Sequence, residues 1–347
     1  MEIVLVVTKQ CNFACRYCYE KNKKIAGGKM PFETARKILD FFLPHLRAGD
    51  AVHLFGGEPL LVFPLIKKII SHIKSENSKV QIRLDTNGSL LSGRILDFLR
   101  KNKVSLTLSM DGGPETQNCN RCAQDKAVDT YDIIAKSNFF KKIVSYPQLQ
   151  INQVAAMNRI NFLAQDFFHL VKLGFRNINI KEEKGKIWPK TKLEVLEKEL
   201  RKINYYCLKH RQNIKIKHLS GYLDNPKSGL RKSMECHPEQ MVVALPSGDI
   251  FPCSAVLSVT KKLYLESMKV ISATDLEKIK HKEFFKIKRQ AYLKAYDKMK
   301  QDTMFMGKKV LCAALLKNQD NLNLKKMHEN EKQKASVFNR SIKYFLK

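Results

Sequence analysis

The chain has 347 residues, and its 63 lysine and arginine side chains against 33 aspartate and glutamate side chains give a formal net charge of +30. Hydrophobic residues make up 44%, enough for one large domain with a smaller appendage, which excludes a disordered chain, a collagen-like chain and a small disulfide scaffold. The first apolar run, residues 3–7, is too short for a signal peptide, and no run of about 20 apolar residues could cross a membrane. We therefore expect a cytoplasmic protein without a membrane partner, in which the nine cysteines are metal ligands or buried thiols rather than disulfides.

Short apolar runs alternate with amphipathic segments through the first half of the chain, as in repeated βα units around a parallel sheet. Strands are predicted at residues 2–8, 51–56, 80–86, 104–110, 149–156 and 175–181. Helices are predicted at residues 31–43, 63–75, 89–101, 129–142 and 162–172. Six units are too few for a closed eight-stranded barrel, so the prediction is an α/β fold built as a partial (β/α)6 barrel.

The pattern changes after residue 190. A lysine-rich helix is predicted from residue 191 to 212, followed by a β-hairpin around the turn Pro246-Ser247-Gly248-Asp249. The chain beyond residue 256 is lysine-rich with helical spacing. We therefore divide the chain into a barrel (1–190), a connecting helix and linker (191–230), and a small auxiliary domain with the hairpin and a basic helical tail (231–347).

Three cysteines follow the first predicted strand at the spacing C-x3-C-x2-C: Cys11, Cys15 and Cys18. Loops at the carboxyl ends of parallel strands are where such folds place their chemistry. Thiolates select zinc or an iron–sulfur cluster, and a structural zinc ion would need a fourth ligand, whereas residues 19–30 contain neither cysteine nor histidine. Three protein ligands leave one metal position open.

The cysteine spacing, with Tyr17 before the third cysteine, resembles the radical S-adenosylmethionine (radical SAM) superfamily. Three further segments stand after the second, third and fourth strands, where that family has motifs: Gly56-Gly57-Glu58-Pro59, Thr86-Asn87-Gly88 and Ser109-Met110-Asp111-Gly112. The resemblance implies a [4Fe-4S] cluster on the three cysteines, with SAM bound to its open iron. It also implies an electron donor such as flavodoxin or ferredoxin, whose electron cleaves SAM to a 5′-deoxyadenosyl radical that abstracts hydrogen from a substrate.

The same resemblance suggests roles for individual side chains around SAM. Glycine carbonyls or the Glu58 carboxylate would accept hydrogen bonds from the SAM ammonium, and the Tyr17 ring would lie beside the adenine. Arg121 is a candidate clamp for the SAM carboxylate. The candidate cofactor-binding residues are Tyr17, Gly56, Gly57, Glu58, Pro59, Thr86, Asn87, Ser109, Asp111, Arg121 and Asn158, of which Ser109, Asp111 and Asn158 would contact the ribose. No residue pattern identifies a catalytic base.

A second group of cysteines surrounds the predicted hairpin. Cys236 and Cys253 flank the turn at Gly248, which resembles the start of the SPASM or shortened Twitch auxiliary domain of the same superfamily. With Cys312 they form three candidate ligands, enough for one auxiliary [4Fe-4S] cluster whose fourth ligand comes from elsewhere. The alternative is a degenerate domain with merely buried thiols. A further pair, Cys119 and Cys122, is interpreted as ordinary loop thiols.

The auxiliary-domain resemblance favours an enzyme that modifies a peptide or protein, like the maturases of this superfamily. The charge of +30 motivates one alternative, an RNA-modifying radical SAM enzyme, although no basic stripe with regularly spaced aromatic residues accompanies it. Another alternative is a non-catalytic cluster-binding scaffold. We expect a peptide or protein substrate and no nucleic-acid partner.

Overall fold

The computed structural model describes residues 1–18, 28–183, 186–210, 214–216, 240–258, 266 and 268–302, together with residues 333, 336, 337, 340 and 341. Within these ranges the strands form one sheet: β1 (Glu2–Thr8), β2 (Ala51–Gly56), β3 (Gln81–Thr86), β4 (Ser105–Ser109), β5 (Leu149–Ala155), β6 (Asn177–Glu182), β7 (Lys215–Ile216), β8 (Met241–Ala244), β9 (Asp249–Phe251) and β10 (Ile271–Ser272). Their order is β10-β9-β8-β1-β2-β3-β4-β5-β6-β7. Strands β1 to β6 pair in parallel in chain order, which confirms the predicted α/β fold class.

Helices connect these strands. They are α1 (Phe32–Phe42), α2 (Phe63–Glu76), α3 (Gly93–Lys101), α4 (Pro114–Asn120), α5 (Asp132–Ala135), α6 (Phe140–Val144), α7 (Leu163–Lys172), α8 (Lys190–Lys209) and α9 (His281–Asp302). In the part of the chain that the structure describes, none of the helices has the length and apolar character needed to span a bilayer.

One face of the sheet packs on the helices. Ile3, Leu5 and Val7 of β1 are fully buried and lie in the same cluster as Ile38 and Phe42 of α1. Alternate residues of a strand point to the same face, and helix residues three or four apart share a face. The apolar side chains of β1 and α1 therefore pack together in one layer. This layer holds the strand ends at fixed positions.

The opposite face, called the inner face below, is mostly polar from β3 to β6 and carries His53 on β2. Its side chains alternate with the core residues of each strand and include His53, Asp85, Thr107, Asn152, Asn179 and Lys181. Lys181 on β6 interacts electrostatically with Asp85 on β3, three strands away. The sheet must curve around this face for the two charges to approach, as expected of a partial barrel.

The predicted hairpin is confirmed and extends the same sheet. β8 and β9 are antiparallel, and the turn between them uses Gly248 at a φ of +86°, a left-handed conformation that favours glycine. β8 also pairs in parallel with β1, from Glu2 opposite Met241 to Leu5 opposite Ala244. The first strand is therefore flanked on both sides. The domain boundaries at residues 190 and 230 stay a prediction.

The connection between β4 and β5 differs from the sequence prediction. The single helix expected at residues 129–142 is two short helices, α5 and α6, because the Ser137 hydroxyl donates to the Ile134 carbonyl (2.8 Å) where α5 ends. Helix α4 was not predicted, since its sequence, PETQNCN, has no apolar repeat. It begins at Pro114, a first-turn position that proline favours, and buries polar side chains such as Gln117 instead.

Candidate active site

The loop after β1 is hydrogen-bonded to the end of β2. The main-chain nitrogens of Gly57 and Glu58 donate to the carbonyl oxygens of Thr8 (2.9 Å) and Gln10 (2.8 Å). A Cβ atom on Gly57 would lie 2.3 Å from the Gln10 oxygen, and one on Gly56 would lie 2.1 Å from the Thr8 oxygen. Glycine is needed at both positions because a side chain would push the two segments apart. The pair therefore brings the end of β2 against the cysteine loop.

The segment that follows α4 supports the other side of the cysteine loop. The main-chain nitrogen of Ala14 donates to the Cys122 carbonyl (2.7 Å), and that of Arg16 donates to the Asn120 carbonyl (2.9 Å). The Cys122 thiol donates in turn to the Ala14 carbonyl (3.1 Å). Cys122 thus helps to support the loop, and its thiol is bonded to a main-chain oxygen.

The three cysteines of this loop are partly buried and form no disulfide bonds. Burial raises the pKa of the Cys15 thiol to about 12, so a thiolate there requires a bound cation. Within the described ranges, no three cysteine, histidine, aspartate or glutamate side chains converge on a single ion. Three thiol donors on one short loop are a donor set that fits an iron–sulfur cluster, in which each thiolate binds a different iron atom.

Asp111, just after β4, is fully buried at the centre of a hydrogen-bond network. Its Oδ1 accepts from Arg121 Nε (2.9 Å) and from the main-chain nitrogen of Val154 (3.0 Å). Its Oδ2 accepts from the Tyr17 hydroxyl (2.6 Å) and from Asn120 Nδ2 (3.2 Å). Since four protein donors use this carboxylate, the geometry favours a role in positioning the cysteine loop over the predicted ribose contact.

Arg121 is turned toward the same network. Its Nη2 donates to the Asn152 carbonyl (3.2 Å), and its guanidinium lies 5.3 Å from the centre of the Tyr17 ring. Burial raises the pKa of Tyr17 well above its usual value, so its hydroxyl stays a neutral donor to Asp111. Arg121 therefore pairs with a protein carboxylate in this structure, and its contact with the SAM carboxylate stays a prediction.

Glu58 is fully buried and bridges the ends of β2 and β3. Its Oε1 accepts from the main-chain nitrogen of Leu60 (3.0 Å) and from Thr86 Oγ1 (2.8 Å), and its Oε2 accepts from the main-chain nitrogen of Asn87 (2.6 Å). Burial outweighs these hydrogen bonds and raises the pKa of Glu58 to about 7. Because the carboxylate is used by protein donors, the geometry favours the glycine carbonyls as acceptors for the SAM ammonium.

The remaining predicted contacts lie at the same edge of the sheet. Pro59 begins a short 3-10 helix directly after β2. Ser109 ends β4 and pairs in register with Asn152. Asn158 is exposed after β5 and donates to Asn120 Oδ1 (3.2 Å). The ends of the first five strands thus gather the predicted cofactor-binding residues in one place.

An ionic group on the inner face was missed by the sequence reasoning. His53 Nε2 lies 3.0 Å from Asp85 Oδ1, and His53 Nδ1 lies 3.6 Å from Glu2 Oε1, which also contacts Arg83 Nη1 at 3.1 Å. Burial opposes protonation of His53, but the Asp85 carboxylate outweighs it and raises the pKa of His53. The available signal was a single histidine within the apolar second strand, together with the alternating polar residues Gln81, Arg83 and Asp85 of the third strand.

The described residues include one cysteine of the second group, Cys253. Cys253 is buried directly after β9. Cys236 and Cys312 lie outside the described residues. The auxiliary cluster therefore stays a prediction.

A family model described as the radical SAM superfamily matches residues 5–148. An uncharacterized protein of Methanocaldococcus jannaschii is 28% identical over 179 residues, 51% of this chain and 60% of that protein. A cysteine-type anaerobic sulfatase-maturating enzyme of Clostridium perfringens is 27% identical over 305 residues, 80% of each chain. A GTP 3′,8-cyclase of Haemophilus influenzae is 24% identical over 169 residues, 48% of this chain and 49% of that enzyme.

Solved structures of anSMEcpe with bound AdoMet (SAM) share the fold. The native form has a TM-score of 0.74 at 19% sequence identity, covering 99% of this chain and 98% of that chain. Another carries the Cp18Cys peptide as well and has a TM-score of 0.73.

The first two curated relatives are longer than the match, which spans 60% and 40% of their lengths. The family match covers the cysteine loop and the motifs that follow β2, β3 and β4. In the structure these segments are hydrogen-bonded to one another at one edge of the sheet. Residues 5–148 of this chain therefore form a radical SAM domain, and the cofactors of that superfamily are a [4Fe-4S] cluster and S-adenosylmethionine.

Proposed function

We propose that this protein is a maturase-like radical SAM enzyme, which reductively cleaves SAM and abstracts a hydrogen atom from a peptide or protein substrate. The observation that carries the proposal is the convergence of the cysteine loop with the Gly-Gly turn of β2 and the Asp111 network. When bound, the cluster and SAM supply the 5′-deoxyadenosyl radical. We place the protein in the cytoplasm, where a donor such as flavodoxin or ferredoxin would supply the electron.

The residues at the strand ends divide the work of binding and positioning. Cys11, Cys15 and Cys18 would hold the cluster, and the main-chain carbonyls of Gly56 and Gly57 would accept from the SAM ammonium. The buried Asp111 network holds the loop through Tyr17, and this contact within the protein would preorganise the cofactor site. Such preorganisation lowers the cost of aligning the reacting atoms.

The inner face supports a polar substrate segment. His53 and Asp85 expose 18% and 21% of their side-chain surfaces, so they line this face while remaining largely shielded from bulk water. Lys181 adds a positive charge opposite them. A peptide offers amide donors and acceptors to such a surface, and the sulfatase-maturating relative and the anSMEcpe structure with a bound peptide support this substrate class.

The second candidate is an enzyme that acts on RNA or a nucleotide. The net charge of +30 favours a phosphate-bearing partner, and the GTP 3′,8-cyclase relative supports a nucleotide. The described part of the inner face carries both signs of charge, including Glu2 and Asp85, which is less suited to a polyanion than a wholly basic surface.

The test is SAM cleavage by anaerobically reconstituted protein with dithionite as reductant. We expect 5′-deoxyadenosine, with faster formation when candidate peptides are added. In parallel reactions, GTP or RNA replaces the peptide. A stimulated reaction and a modified product only with RNA or GTP would overturn the peptide assignment, and no 5′-deoxyadenosine under any condition would overturn the enzymatic proposal.

A matched pair of cysteine variants tests the site itself. Cys15→Ala should lower 5′-deoxyadenosine formation at least a hundredfold, because it removes a cluster ligand. Cys122→Ala removes a thiol of similar burial but leaves the main-chain hydrogen bond from Ala14 to Cys122 in place, so it should keep the rate within about twofold. Equal loss in both variants would contradict the assignment of the ligands.

A further inference from the structure

We propose that Asn87 sets the reduction potential of the cluster by donating a hydrogen bond to the sulfur of Cys11. The proposal rests on the proposed function in one respect, since it requires the cluster on this loop. It gives the Thr86-Asn87-Gly88 segment a role at the cluster instead of a direct contact with SAM. Asn87 acts through a ligand, so it is a positioning residue and not a catalytic one.

Two donors approach the Cys11 sulfur. Asn87 Nδ2 lies 3.9 Å from Sγ, and the main-chain nitrogen of Phe13 lies 3.4 Å from it. Sulfur accepts hydrogen bonds at longer distances than oxygen does because its lone pairs are larger and more diffuse. Asn87 is 7% exposed, so little water competes for this donor.

The amide orientation of Asn87 is decided by its neighbours. The main-chain nitrogen of Ser89 can only donate, and it lies 2.9 Å from Asn87 Oδ1, so the oxygen must face Ser89. The Ser89 hydroxyl also donates to this oxygen (2.6 Å). The amide nitrogen is thereby directed to the other side, where it donates to Asn12 Oδ1 (2.9 Å) and faces the Cys11 sulfur.

The backbone of Asn87 is fixed as well. Its main-chain nitrogen donates to the buried Glu58 carboxylate (2.6 Å), which is itself bonded to Thr86 Oγ1 (2.8 Å). The motif after β2 therefore holds the motif after β3 at a set distance from the cysteine loop. A donor that is fixed by the fold cannot easily turn away when the charge on the sulfur changes.

A fixed donor near a cluster ligand stabilises the more negative, reduced cluster. Hydrogen bonds to the sulfurs are among the factors that set iron–sulfur potentials, and the effect is larger where water is excluded. Removing the Asn87 amide should therefore make the cluster harder to reduce. The shift requires no change in ligand number or in SAM.

The experiment is an EPR-monitored redox titration of the anaerobically reconstituted full chain. The signal of this cluster is identified as the one absent from Cys15→Ala. Asn87→Leu keeps the side-chain volume without the donor, and we expect at least a threefold lower ratio of reduced to oxidised cluster at a fixed potential, about 28 mV for one electron at 59 mV per tenfold. Asn87→Ala should shift in the same direction.

Ser89→Ala is the matched control. It removes one hydroxyl of the same network while the Ser89 main-chain nitrogen still orients the amide, so the wild-type potential is expected. An unshifted potential in both Asn87 variants, or an equal shift in Ser89→Ala, would overturn the proposal. So would failure of both Asn87 variants to bind iron while Ser89→Ala binds it, because Asn87 would then be needed for assembly. A wild-type chain without any cluster would instead refute the proposed function.

Discussion

Replacing Asp111 by asparagine tests whether the buried network holds the cysteine loop in place. The change keeps the shape of the side chain but removes its charge, and it puts an NH2 group where one oxygen accepts two hydrogen bonds. Arg121, with 7% of its side chain exposed, then loses the carboxylate that neutralises it. Removing one partner of a buried ion pair costs about 3–5 kcal/mol. Two lost hydrogen bonds to a charged group, at about 1.5–3 kcal/mol each, give a similar figure.

The assay is urea unfolding of the anaerobic protein followed by circular dichroism, with the free energy of unfolding obtained by linear extrapolation. Asp132→Asn is the control, because Asp132 pairs with the exposed Lys136 across one helical turn and should cost only about 0.3–0.5 kcal/mol. Iron content should fall in Asp111→Asn and not in the control. A loss of less than about 1 kcal/mol for Asp111→Asn would refute the reasoning, since a buried charge could not then be unpaired.

Three further predictions concern other parts of the molecule. Burial raises the pKa of Glu58 from an ordinary value of 4.5 to about 7, so the contribution of this residue to the free energy of unfolding is fully present below pH 4.5 and falls by about 3 kcal/mol as pH rises through 7. Urea unfolding of Glu58→Gln should lack this pH dependence, and parallel pH profiles of variant and wild type would contradict the prediction. Gly57→Ala should weaken SAM binding at least tenfold in anaerobic equilibrium dialysis, because its Cβ would collide with the Gln10 carbonyl. Gly93→Ala is the control, since its new Cβ approaches nothing closer than 3.7 Å. Equal affinities of the two variants for SAM would disprove the argument that Gly57 is needed for close packing. Burial and the stacked His45 ring lower the pKa of His281, so the contribution of this histidine to the docking of α9 is present above pH 6.5 and is lost as pH falls. The protection factors of the α9 amides, which correct for the pH dependence of intrinsic exchange, should therefore fall on acidification in the wild type and not in His281→Phe.

The strand positions follow from the sequence because each strand is buried on its core face by a regular apolar pattern. β1 and β2 begin and end at the predicted residues, and the ends of the others deviate by one or two residues. The first helix after β4, α4, could not be predicted in this way. α4 is stabilised by its proline start and by buried polar contacts, which leave no apolar period.

Motif residues could be located from the sequence, but their partners could not. The position of Asp111 just after its strand predicts that the side chain lies at the edge of the sheet. Its hydrogen bonds with Tyr17 and Arg121 depend on segments 94 and 10 residues away along the chain. The same holds for Glu58, whose carboxylate oxygens accept from groups at the carboxyl end of the next strand, β3. Three-dimensional proximity of distant segments decides which lone pairs stay free for a ligand.

The pairing of β8 with β1 has a consequence for dissecting this protein. A fragment that ends after α8 would contain every residue of the cysteine loop, yet the outer side of β1 would lose the ladder that runs from Glu2 to Leu5. Exposed apolar strand edges recruit strands from other molecules, so such a fragment should self-associate. Shortened forms made for crystallography or for cluster spectroscopy would need to keep residues 241–251, either in the same polypeptide or added back as a separate peptide.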